Sequence, residues 1–240
     1  MMLVDVHAHI DSFNGENLEK VVSNSIGAGV KVIINNGIDK ETNRRTLEIS
    51  RKFSIVKPAL GLHPEFIEKF DDGFIEEEIE FIKKQKNRII AIGEIGLDYH
   101  WVKDQIMREK QKKMFKKFLF LAKELRKPII VHSRDAETET ISIIKEFNLK
   151  NVVMHCFGGD LNLVNEIIKN NWYISIPPII LRSNHFQNIV RNVPLSKILT
   201  ETDAPWLSPY KNKKNEPAFI TETIKKISEI KCLTQEEVAN

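Results

Sequence analysis

The sequence predicts an α/β protein of the (β/α)8 barrel class, as a single domain over residues 1–240, and three observations predict it. Eight short runs rich in Val and Ile alternate with eight segments of helical periodicity. Each run is rich in Val and Ile and four to eight residues long, as buried strands are. No glycine-rich phosphate loop follows any run, which separates the pattern from an open doubly wound sheet.

The strand-like runs, in order, are LVDVHAH (3–9), VKVIINNG (30–37), IVKPALG (55–61), RIIAIGE (88–94), PIIVHSR (128–134), NVVMHC (151–156), WYISIP (172–177) and KILTETD (197–203). Helical patterns with charged faces fall at 17–28, 40–52, 73–86, 105–127, 136–148, 160–170, 184–192 and 217–230. The clearest is 105–127, where Met107, Met114, Phe115, Phe118, Leu121, Ala122 and Leu125 recur mostly three or four apart on one face. Near the end, Thr234 and Glu237 have the spacing of a capping box and announce a further helix. One or two turns are marginal alone, so 233–240 is expected to be loosely docked.

Composition narrows the class. An apolar fraction of 42% suits a sizeable core, and a net charge of +3 with 29% charged residues is no evidence for nucleic acid. Cys156 and Cys232 make no disulfide framework, and no leader-like N-terminus or membrane-length apolar run is present. The expectation is a cytoplasmic protein with no membrane association and no obligate protein partner.

The ionisable residues fall at the ends of the runs. His7 and His9 close the first, His63 follows the third, Glu94 ends the fourth, and His132 lies late in the fifth. His155 lies late in the sixth, and Asp203 ends the eighth. In a barrel the C-terminal strand ends meet at one mouth, where active sites lie. His7, His9, Glu94, His132, His155 and Asp203 are six donors, more than the three a single catalytic zinc typically takes. They divide over two ions, with Glu94 able to bridge. Two neighbouring ions suit hydrolysis, of phosphate esters above all.

The series VDVHAHID, GLHP, AIGEIGLDYH, PIIVHSRDA, MHCFGG and TETDAPWL resembles, in order and over essentially the whole chain, the motifs of the TatD family of metal-dependent hydrolases and deoxyribonucleases, within the amidohydrolase superfamily. The resemblance implies a (β/α)8 barrel with one or two divalent ions (Zn, Mg or Mn) and hydrolysis of DNA phosphodiesters by a metal-activated hydroxide, with single strands trimmed from an end. By position it places the metal ligands on the same six residues. Glu94 and Asp203 are the catalytic candidates, Asp203 managing the proton. Three departures stand out: Ile10 replaces the usual Leu after HxH, the family's final helix normally runs further than Asn240, so that a truncated chain or a short member is expected, and Lys214 stands where the family often has Arg before Asn-x-Pro. Lys keeps the charge there and loses the bidentate fork. The alternative function is hydrolysis of carboxylic esters, amides or lactones on the same scaffold. A silent metal- or nucleic-acid-binding protein is the third, and the complete donor set argues against it.

His63, Arg134 and Lys214 are the candidate substrate contacts, reaching for phosphate oxygens. Asp5, in step with His7 and His9, and Glu201, two before Asp203, are expected behind the ligands, orienting them. Tyr99, His100 and Trp101 are equally suited to stacking on bases or covering the barrel edge. Cys156 is read as packing and His185 as surface. Lys110, Lys112, Lys113, Lys116 and Lys117 are read as the solvated face of an outer helix.

Overall fold

The computed structural model describes residues 2–240. Its strands are β1 (Leu3–Ala8), β2 (Val30–Asn36), β3 (Val56–Leu60), β4 (Ala91–Asp98), β5 (Ile129–Arg134), β6 (Val152–Met154), β7 (Tyr173–Ile176) and β8 (Ile198–Thr200). They form one eight-stranded sheet in the order β1 to β8, with parallel pairing at β1/β2, β3/β4, β4/β5, β5/β6 and β7/β8. The helices are α1 (Gly15–Gly27), α2 (Lys40–Lys52), α3 (Asp72–Lys84), α4 (Gln105–Leu125), α5 (Glu137–Phe147), α6 (Leu161–Lys169), α7 (Asn184–Asn192), α8 (Ile220–Lys231) and α9 (Gln235–Ala239). A parallel sheet in sequence order, with a helix after every strand, is the expected (β/α)8 barrel. The first strand meets the last: Thr200 Oγ1 donates to the Val4 carbonyl at 2.9 Å and the Asp203 amide to the His7 carbonyl at 2.9 Å.

Helix starts follow local chemistry. The side chains of Asp71, Asp104 and Asp160 cap α3, α4 and α6 by accepting from the amides of Phe74, Met107 and Leu163 at 2.7, 2.9 and 3.0 Å. Among the described residues no helix is long and apolar enough to cross a membrane.

The packing divides into two compact units. The first comprises Met1–Asn35, Glu48–Lys57 and Ile174–Asn240. Its core gathers Leu3, Ile10 and Phe13 with Leu18, Val21 and Val22 of α1, Val30 and Ile33 of β2, and Ile220 and Ile224 of α8. The second comprises Asn36–Leu47 and Pro58–Tyr173. Its buried residues include Leu60, Ile92, Ile95 and Leu97 of the strands and Phe115, Phe118 and Leu119 of α4.

Three elements differ from expectation. The fourth run, read as ending at Glu94, is a strand that continues to Asp98, so Glu94 lies inside it. The pairing explains why a ligand can lie there. Ile92 faces Ile129 while Ile95 faces Val131, so β4 spends one extra residue between them. A bulge of this kind re-aims a side chain. In β1 the same surplus occurs between Asp5 and Ala8, which face Ile33 and Asn35, and His7 lies within it. Second, a 3-10 turn occupies Pro217–Phe219, and α8 begins only at Ile220. Third, the terminal segment is better docked than expected. Thr234 and Glu237 form the full capping box, and Val238 and Ala239 pack against the first unit's core.

Candidate metal centre

In the first unit, β1 delivers His7 and His9, and the turn after β8 delivers Asp203. The Nε2 atoms of the two imidazoles face each other at 3.0 Å, and each lies 3.6 Å from Asp203 Oδ1. His7 is 0% and His9 3% exposed. Two buried imidazoles nose to nose beside a carboxylate are a donor set that a divalent cation fits.

The backbone that holds this set is tied by polar residues. Asp5, 0% exposed, accepts from the His7 amide at 3.2 Å and the Thr202 amide at 2.9 Å, and its other oxygen is 2.5 Å from Thr202 Oγ1. It therefore joins β1 to the turn before Asp203. Its hold on His7 is through the backbone amide rather than the ring. Burial pushes the Asp5 carboxyl up to about 8, against the opposing hydrogen bonds from Thr202 and His7. Glu201 is equally buried and accepts from Ser175 Oγ at 2.5 Å. Asp203 itself adopts a left-handed backbone, φ 57°. Asn215 closes the turn by donating to the carbonyls of Thr202 and Trp206, both at 2.6 Å.

In the second unit Glu94 gathers three histidines. Its Oε1 lies 3.0 Å from His132 Nδ1, 3.3 Å from His63 Nε2 and 3.8 Å from His155 Nε2. The donor atoms of His63, Glu94 and His132 all lie within 4.8 Å of one another. The other nitrogen of His132 lies 2.8 Å from Asp98 Oδ2. A carboxylate behind a histidine fixes its ring and raises its basicity. Burial opposes charge on His132, but the bonds to Asp98 and Glu94 win and raise it to about 9 in the absence of a cation. Asp98 is held below its usual range: burial works against this, and the His132 hydrogen bond and charge outweigh it.

His63 has a different character. Its Nδ1 accepts from the Glu65 amide at 3.2 Å, so its neutral form carries the proton on Nε2, facing Glu94. Burial pushes His63 down and Glu94 offsets part of the effect. That makes it a hydrogen-bond donor within the carboxylate cluster.

Close approach of the strands explains two glycines beside these residues. A Cβ on Gly61 would lie 2.4 Å from the Glu94 carbonyl oxygen, and one on Gly96 would lie 1.9 Å from that of His132. Gly96 also takes φ 147°, so both conformation and space restrict it to glycine.

Of the other sequence candidates, Arg134 is exposed at the end of β5, its guanidinium 5.7 Å from the Trp101 ring centre. Lys214 is exposed on the loop after β8. Tyr99 donates to Glu139 at 2.5 Å and His100 lies 3.1 Å from Asp135, so of that trio Trp101, 60% exposed, has the most open ring. Sequence reasoning missed Asp98, Thr202 and Asn215. Asp98 stands beyond the assumed strand end. Two further residues, Gln111 and Asn35, are signals only in retrospect. Gln111, buried on α4, donates to the carbonyls of Asp98 and Pro64 at 3.1 and 2.9 Å, and Asn35 Oδ1 accepts from the Ile10 amide at 2.6 Å.

Strand-end histidines and carboxylates on a parallel barrel define a metal-dependent hydrolase. The comparisons agree with that class. Residues 4–240 match the family described as TatD related DNase, and the chain belongs to the TatD family. It is 39% identical to the uncharacterized metal-dependent hydrolase MJ1582 of Methanocaldococcus jannaschii, over 98% of this chain and 91% of that protein. It is 30% identical to the human deoxyribonuclease TATDN3, over 98% of this chain and 90% of that protein. Its fold superposes on the crystal structure of YJJV, a TatD homolog from Escherichia coli, with a TM-score of 0.90 and 27% identity, covering 99% of this chain and 93% of the other.

Proposed function

We propose that this protein is a deoxyribonuclease that hydrolyses phosphodiester bonds of single-stranded DNA from an end, with one or two divalent ions held by His7, His9, Glu94, His132, His155 and Asp203. The observation that carries the reading to DNA is the full-length kinship to the human deoxyribonuclease. The donor chemistry supports it: histidines mixed with carboxylates take Zn or Mn, and carboxylates with phosphate oxygens also suit Mg. Residues 1–240 work as one domain in this reading. Its setting is the cytoplasm, with no protein partner required.

Bound divalent ions supply positive charge that acidifies water and offsets charge growing on phosphate oxygens. The protein's residues do the rest. Glu94, ringed by His63, His132 and His155, would hold a cation through its carboxylate. Asp203 accepts the proton of the attacking water at its carboxylate. His63 offers its Nε2 proton to a phosphate oxygen, and Arg134 and Lys214 hold phosphates further along the strand. Asp5 and Glu201 fix the backbone that carries the ligands.

The test compares end-labelled single-stranded DNA with a panel of activated carboxylic esters, with and without added metal, for the wild type and Asp203→Asn. The expected result is metal-dependent shortening of DNA from one end, little ester turnover, and a variant that binds DNA within a few fold of wild type but turns it over about 100-fold more slowly. Ester hydrolysis without DNA cleavage would move the assignment to the carboxylic-ester alternative.

A further inference from the structure

Trp206 is a large apolar side chain left half in water beside a candidate ligand. Its indole is 50% exposed, and its ring centre lies 5.0 Å from that of the His9 imidazole, edge to face at 72°. The other two tryptophans differ. Trp172 is 2% exposed and donates to the Leu149 carbonyl at 2.9 Å, a packing role. Trp101 has Arg134 near its face.

The backbone of Trp206 is fixed from both sides. Its amide donates to the Asp203 carbonyl at 2.8 Å, and its carbonyl accepts from Asn215 Nδ2 at 2.6 Å. Asn215 is 0% exposed and is itself held by its backbone amide, which donates to the Pro205 carbonyl at 3.1 Å. The indole therefore stands on a rigid turn that also presents Asp203. Exposed apolar area of this size forgoes the stabilisation that burial would give. A ring with two side-chain torsions on a fixed backbone loses little entropy when something stacks on it.

Resting on the DNA reading above, we propose that Trp206 is the stacking platform for the nucleobase adjoining the phosphate held at His9 and Asp203. The base supplies a flat π face to an indole already packed at a steep angle against the His9 ring. Stacking of this kind tolerates any base sequence, which suits an enzyme that digests strands without sequence preference. Trp206 thus selects for a base-bearing nucleotide next to the scissile bond. A bare phosphodiester lacks the partner it offers.

The experiment measures equilibrium binding of a short single-stranded phosphorothioate oligonucleotide to the metal-loaded protein, by fluorescence anisotropy. The oligonucleotide carries either bases or abasic sugars at its terminal positions. Trp206→Ala should weaken binding of the base-bearing strand by about 5- to 100-fold and leave binding of the abasic strand unchanged. Trp206→Phe should recover most of the loss, and metal content should stay at wild-type level in both variants. Equal loss for both strands, or no loss for either, overturns the proposal and leaves the DNA reading standing. If Trp206→Ala loses metal, the phenylalanine variant decides: failure to discriminate base-bearing from abasic strands overturns the proposal. Failure of the wild type to bind either strand overturns the DNA reading itself, and this proposal with it.

Discussion

In one compact unit the Nε2 atoms of His7 and His9 face each other at 3.0 Å, with Asp203 3.6 Å from each. In the other, His132 lies between two carboxylates, Asp98 at 2.8 Å and Glu94 at 3.0 Å. The first set is positioned by backbone: Asp5 accepts from the amides of His7 and Thr202, and Asn215 pins the turn that bears Asp203. The second is positioned by side-chain charge, with Glu94 reaching three imidazoles. The contrast separates two ways of holding a cluster of candidate ligands. A backbone-held set keeps its geometry when one donor is changed. A charge-held set depends on its anion, because three histidines packed round a neutral group lose the carboxylate that orders them.

The largest effect should therefore come from Glu94→Gln. The amide keeps the shape and removes the charge. Hydrolysis is expected to fall by more than about 100-fold, and elemental analysis should show reduced metal content, while circular dichroism reports an intact fold. Full activity with normal metal content would sink the two-ion assignment and the contrast between the units.

Asp98→Asn sharpens the same point at one remove. Asp98 touches His132 and no other candidate ligand in its hydrogen-bond set, so it acts as a positioning residue. Metal affinity should drop about 10- to 100-fold, read by titration with a chelator, and excess metal should restore turnover. Loss of turnover that excess metal does not rescue would assign Asp98 a part in the reaction beyond holding His132.

Asp98 also shows where the sequence stopped being legible. Short Val/Ile-rich runs make buried strands whatever surrounds them, so the eight-fold alternation could be read directly. The fourth run looked finished at Glu94 because IGLD follows it, and glycine and aspartate are poor strand residues. In the structure Gly96 is there for the close approach to the His132 carbonyl and Asp98 for the His132 ring. Both are requirements set by a neighbouring strand, which no local pattern encodes. The bulges in β1 and β4 are hidden for the same reason, although the alternation of His7 and His9 already signalled that their rings meet. Thr202 and Asn215 carry polar side chains of ordinary type, and only the fold gives them partners. The docking of α9 depends on Val238 and Ala239 meeting a core assembled from distant segments.

The smallest effect compares lysines on the two units. On α4, Lys112 lies 2.8 Å from Glu139, Lys116 lies 2.9 Å from Glu146 and Lys117 lies 2.6 Å from Glu76. Their charge is already balanced locally, as on an ordinary solvated helix face. On the loop after β8, Lys211, Lys213 and Lys214 are exposed, and Lys213 reaches Glu216 only at 4.0 Å while lying over the Phe219 ring at 4.3 Å. That loop continues the turn bearing Asp203 and ends at Asn215, which bonds back to it. On the DNA reading, a chain with a net charge of only +3 would grip a polyanion through local charge, and this loop offers such charge next to a candidate ligand. Each phosphate contact on a single strand adds about 0.7 to the slope of log affinity against log salt. Replacing Lys211, Lys213 and Lys214 with alanine should flatten that slope by up to about 2. It should leave hydrolysis of a small singly charged phosphodiester nearly unchanged, because that substrate extends no further than the metal ligands. Replacing Lys112, Lys116 and Lys117 should move the slope little. Equal slopes for the two triple variants would show that the loop is an ordinary charged surface.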